Sequence, residues 1–186
     1  MPTAGELTKH IDSIKEFTNN SSFVLMHIDK INLVLTQIGL QLKILYLIHV
    51  DEIDEKAIIS ITIHCNNLNT LGLYNCDFND MVVEHDQDDF SYHRRDKEKM
   101  ELMLDLKQLS IVSACPAKYM ILLLSSAINV EHFKSGQNPS ITDADVLNLM
   151  CHKNQLVHLQ SWLVPSSKLL SIKTVELLME NCENLR

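Results

Sequence analysis

One pattern, stated twice between Leu42 and Cys76, constrains this chain more than any other feature. Leu42-Lys43-Ile44-Leu45-Tyr46-Leu47 has leucine at offsets 0, 3 and 5, and Leu68-Asn69-Thr70-Leu71-Gly72-Leu73 repeats it 26 residues later. Apolar residues at the last two offsets suit a short strand that sends alternate side chains into a core, with the opening leucine buried at the preceding turn. Between the two copies, Val50 to Asp54 reads as a turn. Ala57, Ile58 and Ile61 follow at helical spacing, and His64-Cys65-Asn66-Asn67-Leu68 leads back to a strand. A helix between two strands of a short, fixed period predicts parallel strands, because antiparallel neighbours need only a tight turn.

The same spacing recurs downstream. A third strand is expected at Leu106-Lys107-Gln108-Leu109-Ser110-Ile111, a fourth at Val130-Glu131-His132-Phe133-Lys134-Ser135, and a fifth at Leu156-Val157-His158-Leu159-Gln160-Ser161. In the last two, serine holds the third apolar slot. The offset from the second strand to the third is 12 residues longer than the period, and the surplus coincides with the polar run Glu84 to Lys97. We read residues 84–99 as a loop insertion that no core would accept. Residues 77–101 hold nine acids against four bases, five of the eight net negative charges of the chain.

A period inside the roughly 20–29 residue range of leucine-rich repeats predicts the α/β class and a leucine-rich repeat solenoid of about five to six repeats. Its parallel sheet would line the concave face and its helices the convex face, with incomplete caps. Residues 1–186 are read as one such domain, large enough to bury its own core. Residues 1–41 form an N-terminal helical or degenerate repeat region: Leu7, Ile11, Ile14 and Phe17 stand at helical spacing, and Met26 to Leu40 suits a helix or a buried mixed segment. Residues 100–186 form the C-terminal repeats. The last repeat runs through Leu169, Val175 and Leu178 to Leu185, and an uncapped end implies a fragment or a partner that covers it.

Composition narrows the function classes. A hydrophobic fraction of 46% is that of a globular protein, and only 4 Gly and 4 Pro favour regular elements. A net charge of −8 provides no basic footprint for nucleic acid or an anionic membrane, and no apolar run reaches the ~20 residues that span a bilayer. Met1 to Phe17 lacks the features of a secretory signal. The five cysteines are odd in number and never spaced C-x-x-C, which suits an intracellular location, cytoplasmic or nuclear, and argues against a zinc site. The nine histidines are not accompanied by a legible nucleophile and orienting group, and no glycine-rich phosphate loop is present. No catalytic residue, cofactor or metal is therefore expected, and the chain is read as a non-enzyme.

Several residues carry a family resemblance. Cys76 lies eight positions after Leu68, Ile141-Thr142-Asp143 precedes Val146 and Leu149, and Leu170 to Leu185 ends in Cys182-Glu183-Asn184-Leu185. The set resembles the cysteine-containing class of leucine-rich repeats, with its I-T-D helix entry and C-x-x-L return. Thr142 suits a helix N-cap, Asp143 a first turn, and cysteine a crowded strand–helix contact. The resemblance extends to the repeat region of F-box substrate receptors, and implies recognition of a protein substrate for a cullin-RING ubiquitin ligase. The ligase adaptor would be bound through a segment not evident here, since residues 1–40 lack the Leu-Pro opening of an F-box. A non-ligase repeat scaffold or inhibitor is the alternative reading.

Strand parity nominates the binding residues. If Leu45 and Leu47 point inward, then Tyr46 and Ile48 face the concave side, as do Tyr74, Ser110, His132, Lys134, His158, Gln160 and Trp162. Tyrosine and tryptophan are enriched at binding hot spots.

Overall fold

A computed structural model describes residues 22–25, 28–79, 105–136, 140–153, 156–165 and 169–186. The expected helix over residues 6–17 and the insertion at 84–99 lie outside them. The described elements are, in order, β1 (Ser22–Leu25), α1 (Ile28–Ile38), β2 (Ile44–Ile48), α2 (Glu55–His64), β3 (Thr70–Tyr74), β4 (Gln108–Val112), α3 (Ala117–Ser126), β5 (His132–Ser135), α4 (Asp143–Lys153), β6 (Ser161–Leu163) and α5 (Ile172–Asn181), with a helix after every strand but β3. All six strands are parallel and lie in sequence order in one open sheet. Each helix contacts the next, α1 on α2, α2 on α3, α3 on α4 and α4 on α5, so the helices form a second layer. Right-handed crossovers between strands in sequence order place every helix on the same side of the sheet.

The repeated spacing sets the register. Leu45, Leu71, Leu109 and Phe133 are aligned across four strands, and Leu47, Leu73, Ile111 and Ser135 form the next row. All eight are buried, and at apolar positions such burial stabilises by about 1.5–3 kcal/mol per side chain. Ser135 fills its slot with the hydroxyl donated to the Gly136 carbonyl at 3.3 Å. The opening residues Leu42, Leu68, Leu106 and Val130 are also buried, as the offset-0 position requires. From the other side come Leu35 and Ile38 of α1, Ile58 and Ile61 of α2, Leu123 and Leu124 of α3, Val146 of α4 and Leu178 of α5. Just before Leu42, Gly39 lies so close to the main chain at the end of α2 that a Cβ would sit 2.5 Å from the His64 carbonyl oxygen.

The entries to α2 and α4 have side-chain caps, the second as its sequence predicts, whereas α3 opens at Pro116 without one. Asp54 accepts from the Ala57 amide at 2.8 Å. Thr142 and Asp145 bond reciprocally: the Thr142 amide donates to Asp145 at 2.9 Å and the Asp145 amide to the Thr142 hydroxyl at 3.3 Å, a capping box. Cys65, Cys76 and Cys182 are buried at their framework positions. The Cys76 thiol donates to the Leu47 carbonyl at 3.3 Å and that of Cys182 to the Leu156 carbonyl at 3.1 Å, so each ties one strand–helix unit to its predecessor.

One strand is added to those expected, and the register of another is corrected. The sheet contains a strand before Leu42, since β1 pairs with β2 in the register Phe23 with Leu45 and Leu25 with Leu47. Residues 20–25 have no leucine triad, so the pattern passes over it. The last strand is displaced by three residues: Trp162, not Leu159, aligns with Phe133, and the opening position belongs to Leu159, not Leu156. Among the described residues, no helix is long and apolar enough to cross a membrane.

Candidate functional site

Strand residues that do not point at the helices form three rows on the other face of the sheet. Ile44, Thr70, Gln108, His132 and Ser161 are aligned in the first, Tyr46, Gly72, Ser110, Lys134 and Leu163 in the second, and Ile48, Tyr74 and Val112 in the third. Gly72 apart, these side chains are half-buried or exposed. Among the described residues no helix lies on this side of the sheet, so this is the face that the described elements leave open.

The face has two chemistries. Over β2 and β3 it is apolar and aromatic, and the Tyr46 and Tyr74 rings lie 5.9 Å apart, tilted by 55°. Gly72 makes room for them: a Cβ there would fall 2.6 Å from Tyr46 Cδ1 and closer still to the Tyr74 ring. A side chain at this position would drive the rings apart, so the glycine is what lets two tyrosines on adjacent strands converge. Over β4 to β6 the face is polar. His132 Nδ1 and Ser161 Oγ are 2.9 Å apart, and Lys134 is exposed between Ser110 and Leu163. A shallow depression of about 180 Å³ opens here, lined by Gln108, Ser110, His132, Phe133, Lys134, Ser161 and Leu163.

Strand parity therefore places Tyr46, Ile48, Tyr74, Ser110, His132 and Lys134 together on one face. Trp162 is not with them. It lies on the helix side, its ring 4.7 Å from that of Phe133 and packed against the core. An odd displacement of register exchanges the two faces of a strand. Ser161 and Leu163 take its place, and Leu163 is 59% exposed. The signal that identifies them is the turn: Leu159 N donates to Leu156 O at 2.9 Å just as Leu68 N donates to Cys65 O at 2.9 Å, so Leu156-x-x-Leu159 is the counterpart of Cys65-x-x-Leu68.

Gln160 and His158 are exposed but precede β6. Gln160 belongs to the sheet's leading edge, where Lys43, Asn69, Lys107, Glu131 and Gln160 pass hydrogen bonds from carbonyl to amide along the array. Its side chain donates to Glu131 at 3.2 Å, and Glu131 also meets Lys107 Nζ at 3.1 Å. Exposed pairs of this kind contribute little to stability, and they leave Glu131 engaged at the edge.

Four of the five cysteines are poor nucleophiles, since burial pushes the thiols of Cys65 and Cys115 up to about 12 and raises those of Cys76 and Cys182. Among the described residues, no group of three His, Cys, Asp or Glu side chains could hold a metal ion. What the face presents is an aromatic pair, hydroxyl and amide hydrogen-bonding groups, an imidazole and one ammonium. The chain matches no protein-family profile, no curated protein and no solved structure.

Proposed function

We propose that this chain is a protein-binding module of the leucine-rich repeat type, a solenoid whose sheet face opposite the described helices is concave and receives a protein ligand. The observation that carries the reading is the Tyr46–Tyr74 pair beside a polar depression on the sheet face opposite the described helices. Tyrosine provides large contact area with few rotatable bonds, and an apolar patch rimmed by polar groups is how protein-binding surfaces are commonly built. The repeated 26-residue spacing and the capped helix entries support the repeat class. Within that reading, the resemblance of Ile141-Thr142-Asp143 and Cys182 to Leu185 to F-box receptor repeats makes the ligand a substrate of a cullin-RING ubiquitin ligase.

Affinity capture of the tagged chain from its native cells, compared with a Tyr46→Ala/Tyr74→Ala variant, tests both levels. Proteins recovered by the wild type and lost with the variant support the face. A cullin and its adaptor recovered with both proteins support the ligase connection. Partners captured without that machinery remove the ligase connection and leave a scaffold or inhibitor. Retention by the folded variant of every captured protein other than that machinery would overturn the face itself.

A further inference from the structure

The charge pattern of the face points to a class of ligand. The chain carries a net charge of −8, yet none of the three face rows contains a carboxylate. Lys134 is the only permanently charged residue in those rows, and among the described residues it forms no salt bridge. Among the described residues, the nearest acid by register is Glu131, which lies at the leading edge and is occupied by Lys107 and Gln160. A cation at the rim of a depression, with the Ser110 hydroxyl and His132 beside it, is complementary to an anion. An ammonium–carboxylate contact there is a charge-assisted hydrogen bond, stronger than a neutral one.

Spacing turns this into a motif. Gly72, beneath the two tyrosines, is on β3, and Lys134 is on β5 in the same row. Two strand spacings amount to about 10 Å, and an extended peptide covers about 3.3 Å per residue, so the two subsites are about three residues apart. We propose that the face takes an extended peptide segment of its partner, lying across the strands, with a large apolar side chain on the Tyr46–Tyr74 pair. A carboxylate three residues away, in either chain direction, is bound by Lys134. This rests on the face being the protein-binding surface, and adds to it the chemistry of the bound segment.

The test is to pan the full chain against a library of random ten-residue peptides and to measure binding of the selected peptide by fluorescence anisotropy. Enrichment of Asp or Glu three positions from an aromatic or large aliphatic residue is expected. Lys134→Ala should weaken binding at least tenfold, Lys134→Arg should restore most of it, and Lys56→Ala, at an exposed position of α2, should leave it unchanged. Replacing the peptide's acid by its amide should cost tenfold with the wild type and nothing further with Lys134→Ala. Apolar peptides whose binding is lost with Tyr46→Ala but indifferent to Lys134→Ala would overturn the motif and keep the face. Peptides indifferent to both substitutions would overturn both. If nothing is enriched, the motif falls, and the face is then judged by protein capture alone.

Discussion

At Gly72 a missing side chain shapes the surface more than any present one. The strand tolerates alanine conformationally, so the cost of Gly72→Ala comes from the two tyrosine rings that must swing away from the new methyl. Both rings are only half-buried and can move, which holds the loss to about 1 kcal/mol, the low end of overpacking costs. Urea denaturation should return a change of that size while the near-ultraviolet tyrosine signal alters. A loss of several kcal/mol would mean that the rings are wedged in place. Trp162 and Leu163 form a second contrast between neighbours. Trp162 packs on Phe133, so Trp162→Ala should cost about 3 kcal/mol, whereas Leu163→Ala, on the open face, should stay within about 0.5 kcal/mol. Equal effects in chemical denaturation would contradict the register of β6.

Among the elements, α4 and α5 are joined by one carboxylate. Asp143 accepts from the Ser171 amide at 2.8 Å and the Ser171 hydroxyl at 2.6 Å, and from the Thr174 hydroxyl, so it binds the start of α5 from the first turn of α4. These bonds, those of Ser171 first, hold its carboxyl below the ordinary value of 3.8. A depressed carboxylate stabilises the fold above its unfolded pKa, and the contribution disappears as pH falls through the folded value. Asp143→Asn should therefore unfold at lower urea than wild type at pH 6, and the two midpoints should converge below about pH 4. A constant gap down to pH 2.5 would show that charge is not the source. The same two helices differ in their outer faces. Four and eight residues after the cap, Ile58 and Thr62, Met120 and Leu124, and Val146 and Met150 are buried, but Val175 and Met179 of α5 are 47% and 70% exposed. Met150→Lys should consequently destabilise by several kcal/mol and Met179→Lys by less than about 0.5, as thermal or chemical melts would reveal.

At the scale of the whole molecule, the core is one continuous layer between sheet and helices, and the thiols report its integrity. Cys65, Cys76, Cys115 and Cys182 are buried and reduced. Alkylation at pH 8, read by site-resolved mass spectrometry, should modify these four only as fast as the fold opens, and immediately in denaturant. Prompt reaction of Cys65 in the folded protein would contradict its burial. Between the ordinary thiol value of 9.0 and about 12, unfolded Cys65 and Cys115 lose protons that the folded chain keeps. The unfolded state then binds fewer protons than the native one, so stability falls as pH rises across that window.

The sequence by itself determined the parallel α/β architecture, the inward rows of β2 to β5 and the capped entry to α4. Each follows from spacing over a few residues: period-2 side-chain alternation, a leucine at the preceding turn, and a threonine before a helix. For the same reason six of the nine nominated face residues were legible. Tertiary structure alone decided the side on which Trp162 lies, because Leu156-x-x-Leu159 and Leu159-x-x-Trp162 both satisfy the local pattern, and only pairing with β5 selects between them. It also decided that Ser22–Leu25 joins the sheet, where the neighbouring β2 supplies the hydrogen-bonding edge that its own sequence does not announce. The convergence of two tyrosines over Gly72 belongs to this second kind, since it arises between strands whose sequence separation is 26 residues and whose contact exists only in the sheet.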